Sequence, residues 1–251
     1  MRYVFLLLLW SCHTFAQMET KIIAHRGAWK EFGLPQNSVA SLQKAIDIKC
    51  FGSEFDVHLT KDRVVVVNHD HDFYGTDIET AEYTDLLKIK HPNGESIPTL
   101  EEYFKIGLKQ HETKLILEIK TSKLGGSART MEMVDAIVKL LPNGANPQNL
   151  EFILFDFVSA VYTKKMLPKY QVHYLNGDKT AEEVKAAGLD GMDYHYKLLL
   201  KDENIIGAFR LLQLKTNSWT VNDEETAKLL MSQGIDCITT DIPAFFKSQG
   251  L

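Results

Sequence analysis

Cysteine is scarce, at three in 251 residues. Cys50 and Cys237 lie in apolar stretches, so no disulfide framework stiffens this chain, and buried thiols are expected instead. Basic clusters are also missing. A formal charge of −5 without a lysine–arginine tract makes a poor nucleic-acid binder. No Gly-rich dinucleotide fingerprint follows a strand-like run, which removes the main support for an open, doubly wound sheet. After residue 16 no segment is apolar enough to span a bilayer. No repeat, linker or low-complexity tract marks a second domain.

The composition is ordinary for a globular chain, 45% hydrophobic and 24% charged, with length enough for one α/β barrel. Its first residues differ from the rest. Arg2 precedes the apolar run Tyr3 to Trp10, and Thr14-Phe15-Ala16 supplies small residues before Gln17. This is the pattern of a secretory signal peptide over residues 1–16, implying export to a periplasm or the medium and a barrel domain over 17–251. Leu9-Trp10-Ser11-Cys12 partly resembles a bacterial lipoprotein signal, with Trp10 where a small residue belongs.

Beyond the leader, short apolar runs alternate with helical patterns. Strand-like runs start at Lys21, Ser53, Lys114, Glu151, Gln171, Gly191, Arg210 and Cys237. Between them, Asn37 to Lys49, Thr99 to Gln110, Ser127 to Leu141, Ser159 to Met166, Thr180 to Ala187, Lys201 to Ala208 and Asp223 to Gln233 carry helical periodicity. Eight strands alternating with helices predict parallel βαβ units closed into a (β/α)₈ TIM barrel. A further strand, Val64 to His69, follows a Lys61-Asp62 turn, and Asp70 to Pro98 breaks the rhythm as an insertion on the rim.

Reacting groups of such barrels sit at the C-terminal ends of strands. His25, Glu54, Asp56, His69, Glu118 and Lys120 all fall at or near predicted ends. Glu54 and Asp56 are two apart, so both project to one side of their strand, roughly 7 Å apart at the Cα atoms. Two carboxylates facing a barrel lumen repel each other unless a cation lies between them. Glu118 on the next strand can supply a third oxygen ligand, and oxygen-only ligation suits Mg²⁺ or Ca²⁺. The competing account of the acids is a salt-bridge network with Arg63 and Lys120.

Imidazoles exchange protons near neutral pH, so His25 and His69 are candidates for acid–base work, with His58 a lesser one. Arg26 and Lys120 can hold phosphate oxygens. Trp219 ends a late strand, where it either packs in the core or meets the organic part of a substrate. Asp241 reads as a helix N-cap.

Taken in order, these segments resemble the glycerophosphodiester phosphodiesterase family. The carriers are His25-Arg26-Gly27, Glu54-Phe55-Asp56-Val57, Leu59-Thr60-Lys61-Asp62, Val67-Asn68-His69-Asp70, Leu117-Glu118-Ile119-Lys120, Trp219-Thr220-Val221-Asn222 and the run Gly234 to Pro243. The resemblance implies a barrel that releases glycerol 3-phosphate and an alcohol from a glycerophosphodiester, by attack of the glycerol 2-hydroxyl and hydrolysis of a cyclic phosphate. It also implies a divalent cation on Glu54, Asp56 and Glu118, His25 and His69 as acid and base, and Arg26 and Lys120 as phosphate binders. One departure stands out: Pro35-Gln36-Asn37-Ser38 carries an amide where the family has a glutamate. Two rival readings are a phosphodiesterase of the lysophospholipase D type, and a barrel that binds phosphorylated ligands without turnover.

Overall fold

The computed structural model describes residues 19–250. The expected signal peptide, with Cys12, lies outside the described residues. The strands are β1 (Lys21–Ala24), β2 (Gly52–Leu59), β3 (Val65–Val67), β4 (Asp72–Phe73), β5 (Thr76–Asp77), β6 (Lys114–Ile119), β7 (Leu150–Leu154), β8 (Gln171–Tyr174), β9 (Gly191–His195), β10 (Lys215–Trp219) and β11 (Cys237–Thr240). Eight of them, β1, β2 and β6 to β11, pair in parallel around a ring. The ring closes because β1 bonds both β11 and β2. This is the predicted (β/α)₈ barrel.

Period-two alternation explains both faces. On β2, Phe55, Val57 and Leu59 point outward into the main apolar cluster, together with Leu115, Leu117 and Ile119 of β6 and Leu150, Phe152 and Leu154 of β7. The alternate positions point inward. Ile23, Ile116, Ile153 and Leu175 form a small lumen cluster, against which Phe155 and Trp219 pack. The polar inward residues of β2 therefore stand on an apolar plug.

The helices wrap the outside, several opened by capping boxes. Ser38 caps Val39–Asp47, Thr99 caps Leu100–Gly107 and Thr180 caps Ala181–Ala186. Three expectations need correction. The strand expected from Arg210 begins at Lys215, because Arg210 belongs to the helix Asn204–Leu211, whose Ile206 and Phe209 are buried at helical spacing. The helix expected over Lys201 to Ala208 is two helices, Tyr196–Lys201 and Asn204–Leu211. Of the two described cysteines, Cys50 is buried but Cys237 is only half-buried.

The Asp70 to Pro98 segment is a rim insertion with its own core. Its β4–β5 hairpin and a short helix, Tyr83–Leu86, gather Phe73, Ile78, Leu86 and Ile97 around Val66 of β3. β3 runs antiparallel to the upper half of β2, with Val67 opposite Val57, so it is an appendage to the barrel. No described helix is long and apolar enough to cross a membrane.

Candidate active site

Each functional side chain is set by local backbone physics. β1 ends at Ala24, and His25 N–H donates to Thr240 O (2.9 Å), which holds the turn against β11. Arg26 adopts a left-handed φ of 57° and Gly27 one of 80°. A Cβ at Gly27 would stand 2.5 Å from Ser41 Oγ and 2.6 Å from Ser41 C, so only glycine fits there. That tight turn aims two backbone donors at β2. Arg26 N–H reaches Glu54 Oε2 (2.8 Å) and Gly27 N–H reaches Glu54 O (3.1 Å).

Asp56 and Glu118 lie opposite each other in the β2–β6 register, so their carboxylates meet across the lumen mouth. Carboxylate oxygens of Glu54, Asp56 and Glu118 all come within 4.8 Å of one another, and all three residues are buried. Lys120 Nζ sits 2.6 Å from both Asp56 Oδ1 and Glu118 Oε1. Arg26 Nε lies 3.8 Å from Asp56 Oδ2, an ion-pair distance, and that oxygen accepts a hydrogen bond from Asn37 Nδ2 (2.8 Å). The salt-bridge account of the acids is thus half met. Lys120 does pair with them, whereas Arg63 is elsewhere, bound to Glu132 at 3.1 Å.

The charges do not balance. Three buried acids face two cations, and Glu54 Oε1 has no hydrogen-bond partner. Burial, then repulsion from Asp56 and Glu118, raises the Glu54 carboxyl well above the usual range. Burial also pushes Glu118 up to about 7, with Lys120 opposing and Asp56 reinforcing it. Asp56 goes the other way. Burial disfavours its charge, but Lys120, His69 and Arg26 outweigh that and hold it below the ordinary carboxylate range. An all-oxygen donor set with a destabilised carboxylate, one of whose oxygens has no partner, fits a hard divalent cation.

Both histidines border the cavity. His25 Nδ1 bonds Asp241 Oδ1 (2.7 Å), and its Nε2 lies 4.0 Å from Glu54 Oε2. His69 Nδ1 bonds Asp70 Oδ1 (2.8 Å). An ionised carboxylate can only accept, so Nδ1 donates its proton to the carboxylate in each ring, which leaves Nε2 as the nitrogen that can take or give a second. Burial lowers the His69 imidazole below its ordinary value, against the pull of Asp56. His69 arrives differently from the other residues. It follows the antiparallel β3 and is brought level by Asn68 N–H donating to Asp56 O (3.0 Å), so its position owes nothing to a parallel strand end.

Asp241 is not a helix cap. The helix Pro243–Ser248 starts at Ile242 with no side-chain cap, because the Asp241 carboxylate is engaged by His25 and by Asn222 Nδ2 (2.7 Å). Sequence reasoning also missed Asp70, Asn37 and Asp193. The pairing of β1 with β11 would have revealed Asp241, since it puts the residue after Thr240 beside His25. Gln36, the departure from the family pattern, accepts from Arg26 Nη1 (2.6 Å), so its amide oxygen steadies the guanidinium.

His25, Arg26, Glu54, His69, Glu118, Lys120 and Trp219 line one cavity of about 80 Å³, with Asp193 and Phe155. Burial raises the Asp193 carboxyl well above its usual range, Glu151 adding to the effect. The Trp219 indole donates to Asp193 O (3.0 Å) and meets Phe155 edge-on at 5.6 Å, so it is both packed and exposed to the cavity. His58 is displaced from this group, its Nε2 bound to His69 O (3.1 Å). A cleft of about 620 Å³ beside Arg63 and Glu132 shares none of these residues.

A (β/α)₈ barrel with a charged, imidazole-flanked cavity at its C-terminal mouth defines the class: a barrel enzyme for an anionic substrate. Residues 25–244 match the model of the glycerophosphoryl diester phosphodiesterase family, and the chain belongs to that family, a family of phosphoric diester hydrolases. A glycerophosphodiester phosphodiesterase of Caldanaerobacter subterraneus is 26% identical over 239 residues, 90% of this chain and 96% of the relative. The crystal structure of a glycerophosphodiester phosphodiesterase from Parabacteroides distasonis superposes with a TM-score of 0.87 at 37% identity, covering 92% of this chain and 96% of that one. An Oleispira antarctica phosphodiesterase, solved with its product sn-glycerol-3-phosphate, superposes with a TM-score of 0.78 at 26% identity, covering 91% and 95%.

Proposed function

We propose that this protein hydrolyses glycerophosphodiesters to glycerol 3-phosphate and an alcohol, in a reaction that needs a divalent cation and uses His25 and His69 as acid and base. The observation that carries the reading is one cavity bordered by both imidazoles, both cations and the acids of β2 and β6. The product bound to the Oleispira relative supports the glycerol 3-phosphate half.

Glu54, Asp56 and Glu118 would hold the cation, Mg²⁺ or Ca²⁺. Once bound, it would supply Lewis acidity at a phosphoryl oxygen. Arg26 and Lys120 neutralise the remaining phosphate charge as it grows in the transition state. One imidazole, with its Nε2 lone pair free, takes the proton from the attacking hydroxyl. The other, protonated, gives a proton to the departing alcohol oxygen as the P–O bond breaks. Hydrolysis of the cyclic phosphate reverses the two roles, which leaves each ring as it began. Asp241 and Asp70 fix the tautomers that this traffic requires. Trp219 and Phe155 offer an apolar wall to the carbon skeleton.

The test is release of glycerol 3-phosphate from a panel of glycerophosphodiesters, with and without chelator. Release that is lost with chelator and restored by Mg²⁺ or Ca²⁺ is expected. No release from any headgroup would overturn the proposal, and chelator-resistant release would remove the cation from it.

A further inference from the structure

A second cleft, of about 610 Å³, lies between the loop after β1 and the rim insertion. It borders the catalytic cavity through two residues that serve both. Gln36 lines it while holding Arg26, and Asp70 lines it while holding His69. Its walls are unusual in composition. Trp29, Tyr74 and His91 give aromatic surface, and Asp70 and Asp72 give negative charge, while no lysine or arginine lines it.

The aromatic side is held in place. The Tyr74 hydroxyl meets His91 Nδ1 (3.1 Å), and the His91 ring stands edge-on to Phe73 at 5.0 Å. Tyr74 itself is 57% exposed. Two polar atoms there lack partners. Trp29 Nε1 is buried without an acceptor, and so is Nε2 of His91, a residue only 5% exposed. The other opening beside the cavity is mixed in charge and holds one aromatic ring besides its histidines: Lys120 and Lys123 line it together with Asp70, Asp72, Glu118 and Phe155.

We propose that this cleft receives the alcohol half of the diester and selects an amino alcohol whose nitrogen is cationic, a choline-like or ethanolamine-like headgroup. The inference rests on the phosphodiesterase reading above and narrows its substrate. Aromatic faces attract an ammonium through their quadrupole, and two nearby carboxylates add to that attraction. A neutral polyol gains neither, and an anionic headgroup is repelled. The bond that breaks is the P–O bond to the amino alcohol. Its oxygen leaves beside His69, whose Nε2 proton it takes, and the phosphate keeps the glycerol.

The experiment compares kcat/KM for glycerophosphocholine, glycerophosphoethanolamine, glycerophosphoglycerol and glycerophosphoinositol, on the wild type and on Tyr74→Ala, Tyr74→Phe and Asp72→Asn. A preference on the order of tenfold for the two cationic substrates is expected, expressed mainly in KM. Tyr74→Ala and Asp72→Asn should each shrink that ratio, and Tyr74→Phe, which keeps the ring, should preserve it. Equal rates, or a preference for the polyols, overturn the inference while the phosphodiesterase reading stands. A cationic preference that neither Tyr74→Ala nor Asp72→Asn alters overturns the assignment to this cleft. Failure of all four substrates to yield glycerol 3-phosphate brings down the underlying reading, and this inference with it.

Discussion

Asp241 shows how one side chain can be read for the wrong partner. A carboxylate just before Pro243 has the position of a cap, yet it bonds His25 Nδ1 at 2.7 Å. Under the proposed mechanism it positions the ring, so Asp241→Asn should lower kcat by at least about tenfold, and by as much as ~10⁴ if the tautomer is lost. Unfolding midpoints should stay within a degree or two, and the acid limb of the pH–rate profile should move. An unchanged profile would make Asp241 structural. Glu54 supports a prediction of the opposite kind. Its buried carboxylate opposes folding until a cation compensates it, so Glu54→Gln in chelator should be more stable than wild type. For a chain this long each kilocalorie per mole raises Tm by about 2–4 °C. Added Mg²⁺ or Ca²⁺ should then stabilise the wild type and not the variant, while turnover by the variant is abolished. A variant that is no more stable, or still stabilised by the ion, would contradict the assigned ligand.

At the scale of elements, two loops carry the site. The β1 turn depends on Gly27, where an added methyl meets Ser41 at the start of the first helix. Gly27→Ala should cost roughly 2–3 kcal/mol, from the left-handed backbone and the clash together. Denaturant unfolding measures it, and a loss below about 0.5 kcal/mol would mean the turn relaxes freely. The alternation of Glu54 and Asp56 was legible because period two is a property of any strand. The placement of His69 was not, because it depends on β3 reversing against β2, with Val67 opposite Val57. Nothing in Val64 to His69 itself says which neighbour it pairs with. The boundary near Arg210 misled for a related reason. Ile206 and Phe209 are as apolar as strand residues, and only their burial on one helix face identifies them.

For the molecule as a whole, the far end of the barrel from the site sets a pH dependence. His173 on β8 is buried, neither ring nitrogen has a hydrogen-bond partner, and Glu151 is 3.6 Å away. Burial lowers its imidazole below the ordinary 6.5, Glu151 opposing. The unfolded chain therefore takes up a proton near pH 6.5 that the native state refuses. Stability is full above that pH and falls as pH drops below it, by at most about 1.4 kcal/mol per unit for this one group. Between pH 7.5 and 5 the urea midpoint should fall more steeply in the wild type than in His173→Gln. Parallel curves would show that His173 carries no part of the slope.

The sequence alone determined the barrel, since strand–helix alternation over this length closes most simply as eight parallel units, each burying one apolar face. It also singled out most of the polar side chains that line the cavity at the barrel mouth, because strand alternation and the ends of apolar runs are local properties. Tertiary structure decided everything that depends on a second segment: the ring that joins Asp241 to His25, the register that sets Asp56 against Glu118, the reversal that delivers His69, and the cleft between the loop after β1 and the rim insertion. Such contacts arise from closure and pairing, which local periodicity does not encode.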